Sequence, residues 1–152
     1  MAPTDTVATL SESMQMYLKA VHEIQLQKGA ARVTDIARSI GVNKASVTSA
    51  LKNLSQKELI NYAPYDVITL TDAGMRIAEV VERRYDVLKT FFSDVLGIPP
   101  EQAHDDACDL EHHLSQDLFD RLVGFIEYYS TCATPRFRWD PELEGFCEDR
   151  DE

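Results

Sequence analysis

The chain has 152 residues, 44% of them hydrophobic, with 26 acidic against 15 basic side chains and a formal net charge of −11. That is enough apolar chain to bury a core, as one domain or as two small ones. No apolar run approaches the roughly 18 residues of a membrane span, and no basic start precedes an apolar signal core, so a cytoplasmic protein without membrane partners is expected.

Residues 11–28 place Met14, Tyr17, Leu18, Val21 and Ile24 at helical spacing, with Lys28-Gly29 as the stop. The stretch ARVTDIARSIGVNKASVTSALKNLSQKELI then predicts two helices around a tight turn at Gly41. Thr34 is the expected cap of the first, over Ile36, Ala37 and Ile40; Asn43 is the cap of the second, which turns Val47, Leu51 and Leu54 inward. LINY and VITL alternate like strands around an APYD turn. Three helices and a hairpin predict a winged helix-turn-helix, with residues 44–56 as the helix that reads DNA. Lys44 and Lys52 suit phosphates, and Ser46, Thr48 and Ser49 suit base edges; Arg38 and Asn43 complete the expected DNA-binding set.

A long helix is predicted from Thr71 to Leu96, ended by Gly97 and the Pro99-Pro100 pair. Its run of Val and Phe exceeds what one small domain readily covers and points to a homodimer. Helices over 101–114 and 116–130 follow, the second capped by Ser115 with Leu118, Leu122, Phe125 and Tyr129 inward. Phe137, Trp139, Leu143 and Phe146 indicate that the acidic end docks rather than floats. The expected fold is therefore mainly α, with a winged-helix DNA-binding domain over 1–73. An all-α metal-binding and dimerisation domain over 74–131 and an acidic tail over 132–152 follow it.

Charge divides along the same lines. Residues 1–75 hold seven acids and seven bases, whereas 76–152 hold 19 acids and 8 bases. A neutral half with local lysines beside an acidic half indicates two modules with different work.

The segment HDDACDLEHH, residues 104–113, gathers a thiol, carboxylates and imidazoles. On one continuous helix Ala103, Ala107, Leu110, Leu114 and Leu118 share the core side, and His104, Cys108, Glu111 and His112 share a face about 100° away. His113 falls elsewhere, toward solvent. Thiolate, imidazole and carboxylate together suit a first-row transition metal. A small buried thiol among solvated polar groups accounts for the same letters, and the spacing leaves both open. Met16 lies off the apolar stripe of its helix, as a surface residue or as a thioether with a soft partner.

Residues 11–130 resemble the metal-dependent transcriptional repressors of the diphtheria toxin repressor and manganese transport regulator type. The likeness is carried by QMYLKAVHEI, VTDIARSIGVNKASVTSALKNL, LTDAG and HDDACDLEHHLS. It implies a regulator that is not an enzyme and takes no small-molecule substrate: a homodimer that binds palindromic operator DNA when metal is bound and controls metal homeostasis. It also implies an activating site of the iron type at Met16, Cys108, Glu111 and His112, where the manganese type has carboxylates in place of Met16 and Cys108. Soft sulfur favours Fe²⁺, Co²⁺, Ni²⁺ or Zn²⁺ over Mn²⁺, and Fe²⁺ is the expected cofactor.

Two departures accompany the likeness. The family's ancillary metal site falls on Tyr85, Lys89 and His104, of which only His104 is a ligand type, so His104 is expected to join the primary cluster or to hydrogen-bond to it. The length leaves no room for the third, barrel-like domain of the iron branch.

Cys132 and Cys147 open a different reading. Either the two are inert, or they pair as a redox switch or join Cys108 in a thiolate-rich site or iron–sulfur cluster, making the protein a thiol or cluster-based winged-helix sensor. Three cysteines fall short of the usual four cluster ligands. A metalloenzyme built on the Cys/His/Glu face is the remaining rival.

Overall fold

The computed structural model describes residues 9–63, 67–131 and 136–149. Cys132 and most of the expected APYD turn lie outside them. The chain separates into two compact units, one ending at Glu82 and the other beginning at Arg83.

In the first unit, helix α1 (Glu12–Lys28) starts where Ser11 Oγ accepts from Met14 N and stops at Gly29, whose φ of 83° needs no Cβ. Its inward stripe is the expected one, with Leu18 and Val21 fully buried. Helix α2 (Val33–Ile40) begins two residues earlier than the sequence indicates. Arg32 is its N-cap, without a side-chain bond, and Thr34 lies within the helix and caps nothing. Asp35 in its first turn is instead held by Lys28 at 2.8 Å, a hydrogen bond that keeps the Asp35 carboxyl below its ordinary value. Gly41 at φ 77° makes the tight turn, and Asn43 Oδ1 accepts from Ser46 N at 2.8 Å to start α3 (Lys44–Gln56).

The wing is small. Strands β1 (Ile60–Asn61) and β2 (Thr69–Leu70) pair antiparallel, Ile60 opposite Leu70, and Ala31 bonds Ile68 in both directions as a third stretch that the sequence did not announce. Gln25 Oε1 accepts from Leu70 N at 2.9 Å, tying α1 to the wing.

Helix α4 (Asp72–Thr90) carries both halves of the LTDAG logic. Thr71 Oγ1 accepts from Gly74 N at 3.1 Å and donates to Glu58 O at 2.8 Å, fixing where the helix leaves the wing. Ile77, Ala78 and Val81 complete the N-terminal core with Leu51, Leu54, Ile36 and Val47. These early turns of α4 therefore belong to the first unit, which extends past the expected boundary at 73. His22 is buried there, its Nδ1 at 3.0 Å from Glu82 Oε2 but poorly aligned for a hydrogen bond; proximity without a directed bond is the reading that fits both facts.

In the second unit α4 passes into a wider turn over Phe91–Val95, where Leu96 N reaches back to Phe91 O, and Gly97 at φ 69° ends it. Helix α5 (Pro100–Leu110) buries Ala103 and Ala107 completely. It stops at Leu110 rather than at 114, so Leu110 is exposed and the expected side of five apolar residues shrinks to two alanines. Helix α6 (Gln116–Thr131) is capped by Ser115 as expected. Its orientation differs from the expected one: Phe119 is buried, while Leu118 and Phe125 are exposed with Tyr128.

The acidic end contains a β-hairpin. Strands β3 (Arg136–Asp140) and β4 (Gly145–Asp149) form an antiparallel hairpin with Trp139 opposite Phe146. Tyr129 Oη donates to Phe137 O at 2.6 Å, and the rings of Tyr129, Phe137, Phe146 and Trp139 meet in sequence at centroid separations of 5.0, 5.5 and 5.2 Å. Edge-on aromatic contacts of this kind hold the hairpin to α6 and explain why so acidic a segment folds. The elements up to Thr131 are thus all helical, as expected of the domain over 74–131, and the hairpin is added by the segment expected as an acidic tail.

Candidate metal centre and DNA-reading face

On α3 the Lys44, Ser46, Ser49 and Lys52 side chains are exposed, while Val47, Leu51 and Leu54 are fully buried. The helix thus offers two ammonium groups and two hydroxyls on one surface. Arg38, on α2, is also exposed. Two of the expected reading residues have other duties. Asn43 Oδ1 is spent on the helix cap, and the Thr48 hydroxyl donates to Lys44 O at 2.9 Å, leaving only its acceptor lone pairs.

In the second unit the candidate ligands form two neighbouring pairs. On α5, His104 Nε2 lies 3.9 Å from Cys108 Sγ, one helical turn apart. Beyond the end of α5, Glu111 and His112 sit in a turn with Nε2 and Oε1 3.4 Å apart. The Glu111 side chain is only 3% exposed, an acid carried into the interior of an otherwise acidic unit. Burial of a carboxylate is costly unless a cation or hydrogen bonds answer it. Cys108 is half-buried and outside any disulfide; His113 is exposed. Among the described residues no three His, Cys, Asp or Glu side chains are gathered closely enough to hold an ion by themselves. Helical bonding reaches Glu111, whose backbone N–H still bonds Ala107 O, and the chain then tightens into a turn over His112, with His113 N bonding Leu110 O. Met16, in the first unit, is on the exposed side of α1 at 37% exposure.

The Tyr85 hydroxyl lies 2.6 Å from His104 Nδ1, and Lys89 Nζ stands 5.7 Å from the centre of the Tyr85 ring. Neither contact is visible in the sequence as such; only the replacement of two ligand types at 85 and 89 marks the place. Nearby Arg84 is buried, which lowers its pKa, and its guanidinium reaches Gln116 Oε1 at 3.4 Å. Cys147 lies on β4, outside any disulfide.

A winged helix joined to a helical unit with thiol, imidazole and carboxylate groups defines the class of metal-responsive DNA-binding regulators. The family comparisons agree with it. Residues 9–68 match the iron-dependent repressor N-terminal DNA-binding domain, and residues 71–138 match the iron-dependent repressor metal-binding and dimerisation domain. The transcriptional regulator MntR of Bacillus subtilis is 32% identical over 117 residues, covering 77% of this chain and 82% of that protein. Among solved structures, IdeR of T. acidophilum superposes with a TM-score of 0.68 at 27% identity over 74% of this chain. A manganese-dependent transcriptional repressor in complex with manganese gives 0.70 at 29% identity over 76%. The chain spans only 53% of the length of each of those two structures. The chain belongs to the diphtheria toxin repressor and manganese transport regulator family of metal-dependent transcriptional repressors. These are regulators, not enzymes, and among the described residues no helix is long and apolar enough to cross a membrane.

Proposed function

We propose that the protein is an Fe²⁺-activated repressor that binds palindromic operator DNA as a homodimer and controls metal homeostasis genes. Met16, Cys108, Glu111 and His112, with His104, are its metal ligands. The observation that carries the choice of metal is the Cys108 thiol beside the His104 imidazole at 3.9 Å. A sulfur and nitrogen pair favours Fe²⁺ over the oxygen-preferring Mn²⁺. When bound, the ion supplies a positive charge and a fixed set of bonds; the protein's own groups do the rest. The buried Glu111 carboxylate, 3.4 Å from His112 Nε2, adds a negative charge to the ligand set, and the fixed ligands bias the arrangement that binds DNA. Lys44 and Lys52 meet phosphates, Ser46, Thr48 and Ser49 meet base edges, and Arg38 and Asn43 lie at the margin of that surface. The exposed Leu118, Phe125 and Tyr128 of α6 are the apolar surface that a second copy would cover. They replace α4 as the argument for a homodimer, since Ile77, Val81 and Leu88 are buried within the chain.

A manganese reading has one specific support: one of the similar solved structures is a manganese-dependent transcriptional repressor in complex with manganese. Anaerobic DNA-binding titrations at fixed salt with Fe²⁺, Mn²⁺, Zn²⁺ or chelator, using promoter DNA of the source genome, separate the two. The expected result is chelator-reversible binding strongest with Fe²⁺ and lost in Met16→Ala. Equal binding under chelator removes the metal switch, and a clear Mn²⁺ maximum replaces iron with manganese. In the same assay Lys52→Ala weakens all DNA sequences about equally and lowers the salt slope by roughly one. A change in base preference instead would reassign Lys52 to a base edge.

A further inference from the structure

The hydrogen bond between Tyr85 and His104 has no part in the ligand set above, and it fixes one side of an imidazole whose other side faces a thiol. His104 Nδ1 is 2.6 Å from the Tyr85 hydroxyl, and the two rings stand edge to face at 83° with centroids 5.6 Å apart. Both the ring plane and its rotation about the Cβ–Cγ bond are therefore constrained. The far nitrogen, Nε2, lies 3.9 Å from Cys108 Sγ. An ion held at about 2.3 Å from sulfur and about 2.1 Å from nitrogen in a tetrahedral arrangement sets those two atoms roughly 3.5 Å apart. The observed separation thus needs a change of only a few tenths of an ångström. Ala103 and Ala107, fully buried on the other side of α5, hold the helix that carries both donors.

We propose that Tyr85 is a positioning residue of the metal centre, whose hydroxyl accepts from His104 Nδ1–H so that the Nε2 lone pair is presented beside Cys108 as an inner ligand. This rests on the metal-site reading above and adds a residue to it. A ligating imidazole needs its second nitrogen protonated and partnered, and Tyr85 supplies that partner without a negative charge. Lys89, with Nζ 5.7 Å from the Tyr85 ring centre, puts a positive charge on the same patch and so opposes a second ion beside Tyr85.

The test is anaerobic titration of the metal-free full chain with Co²⁺, following the thiolate-to-metal absorption band, with affinity from chelator competition. Wild type is expected to show the band with one ion per chain. Tyr85→Phe should keep the band and the unfolding midpoint but bind roughly 10–100-fold more weakly, the usual cost of losing an outer partner of a ligating histidine. His104→Gln should weaken binding at least as much, and adding Tyr85→Phe to it should cost nothing further. Wild-type affinity in Tyr85→Phe, or an undiminished further loss in the double variant, overturns the positioning role while leaving Cys108 a ligand. Absence of the band in wild type, or its persistence in Cys108→Ser, removes the metal-site reading itself and this inference with it.

Discussion

Cys108→Ser is expected to narrow or abolish the preference for Fe²⁺ over Mn²⁺. The substitution keeps a small polar side chain one turn from His104 on α5 and replaces a soft thiolate with a hard hydroxyl. Affinity for Fe²⁺ and Co²⁺ should fall by more than the roughly 10–100-fold that an outer-shell change costs, because an inner donor is lost. Mn²⁺, which gains little from sulfur, should fall by much less. Chelator competition for the three ions on one preparation measures the ratio directly. Parallel losses for all three would mean that sulfur does not select the metal, and the donor chemistry behind the iron assignment would fail with it.

Gly74→Ala should be among the most damaging single changes outside the site. A Cβ built on Gly74 is driven into the backbone carbonyl oxygen of Leu59, with the carbonyl carbon at 2.9 Å. Neither partner is a flexible side-chain tip, so the start of α4 must move away from the wing. Alanine gains about 1 kcal/mol over glycine by helix propensity, whereas overpacking of a close contact typically costs about 1–3 kcal/mol and at times more. Because the clash is with backbone, the upper end of that cost applies and should prevail, with a net loss of about 1–2 kcal/mol and an unfolding midpoint lower by roughly 5–15 °C for a unit of this size. Thermal unfolding of the metal-free protein is the measurement. An unchanged or raised midpoint would show that α4 can shift at no cost, and the account of LTDAG as a close-approach motif would be wrong.

The loss in Gly74→Ala should extend to DNA binding even with metal saturated. Thr71, Gly74 and Leu59 together set how the wing meets α4, and Thr71 joins them by bonding Gly74 N and Glu58 O. The motif was conspicuous in the sequence, but nothing in LTDAG said which carbonyl its glycine approaches.

Local signals carried much of the fold. Gly29 and Gly41 stop their helices, Asn43 and Ser115 cap theirs, and the 3.6-residue spacing of Leu18, Val21, Val47, Leu51 and Leu54 marks the buried faces. Each depends on residues within one or two turns, which a linear chain displays. Such local signals mislead where a residue or two more or fewer matters. Thr34 had the chemistry of a cap, yet Arg32 holds the position without a side-chain bond.

By itself, the sequence determined the winged helix and the donor types gathered at residues 104–112, because periodicity, capping and side-chain chemistry are properties of short stretches; the class of regulator came from its resemblance to a known family. Tertiary structure alone decided that α5 ends at Leu110, short of His112, and that Tyr85 holds His104 from nineteen residues away. It also decided that Phe119 faces inward in place of Leu118, and that the acidic end closes into a hairpin against Tyr129. The physical reason is common to all four. Where a helix stops, and which of two adjacent apolar residues is buried, depend on energy differences small beside the packing supplied by distant parts of the chain, and spacing alone does not contain that packing.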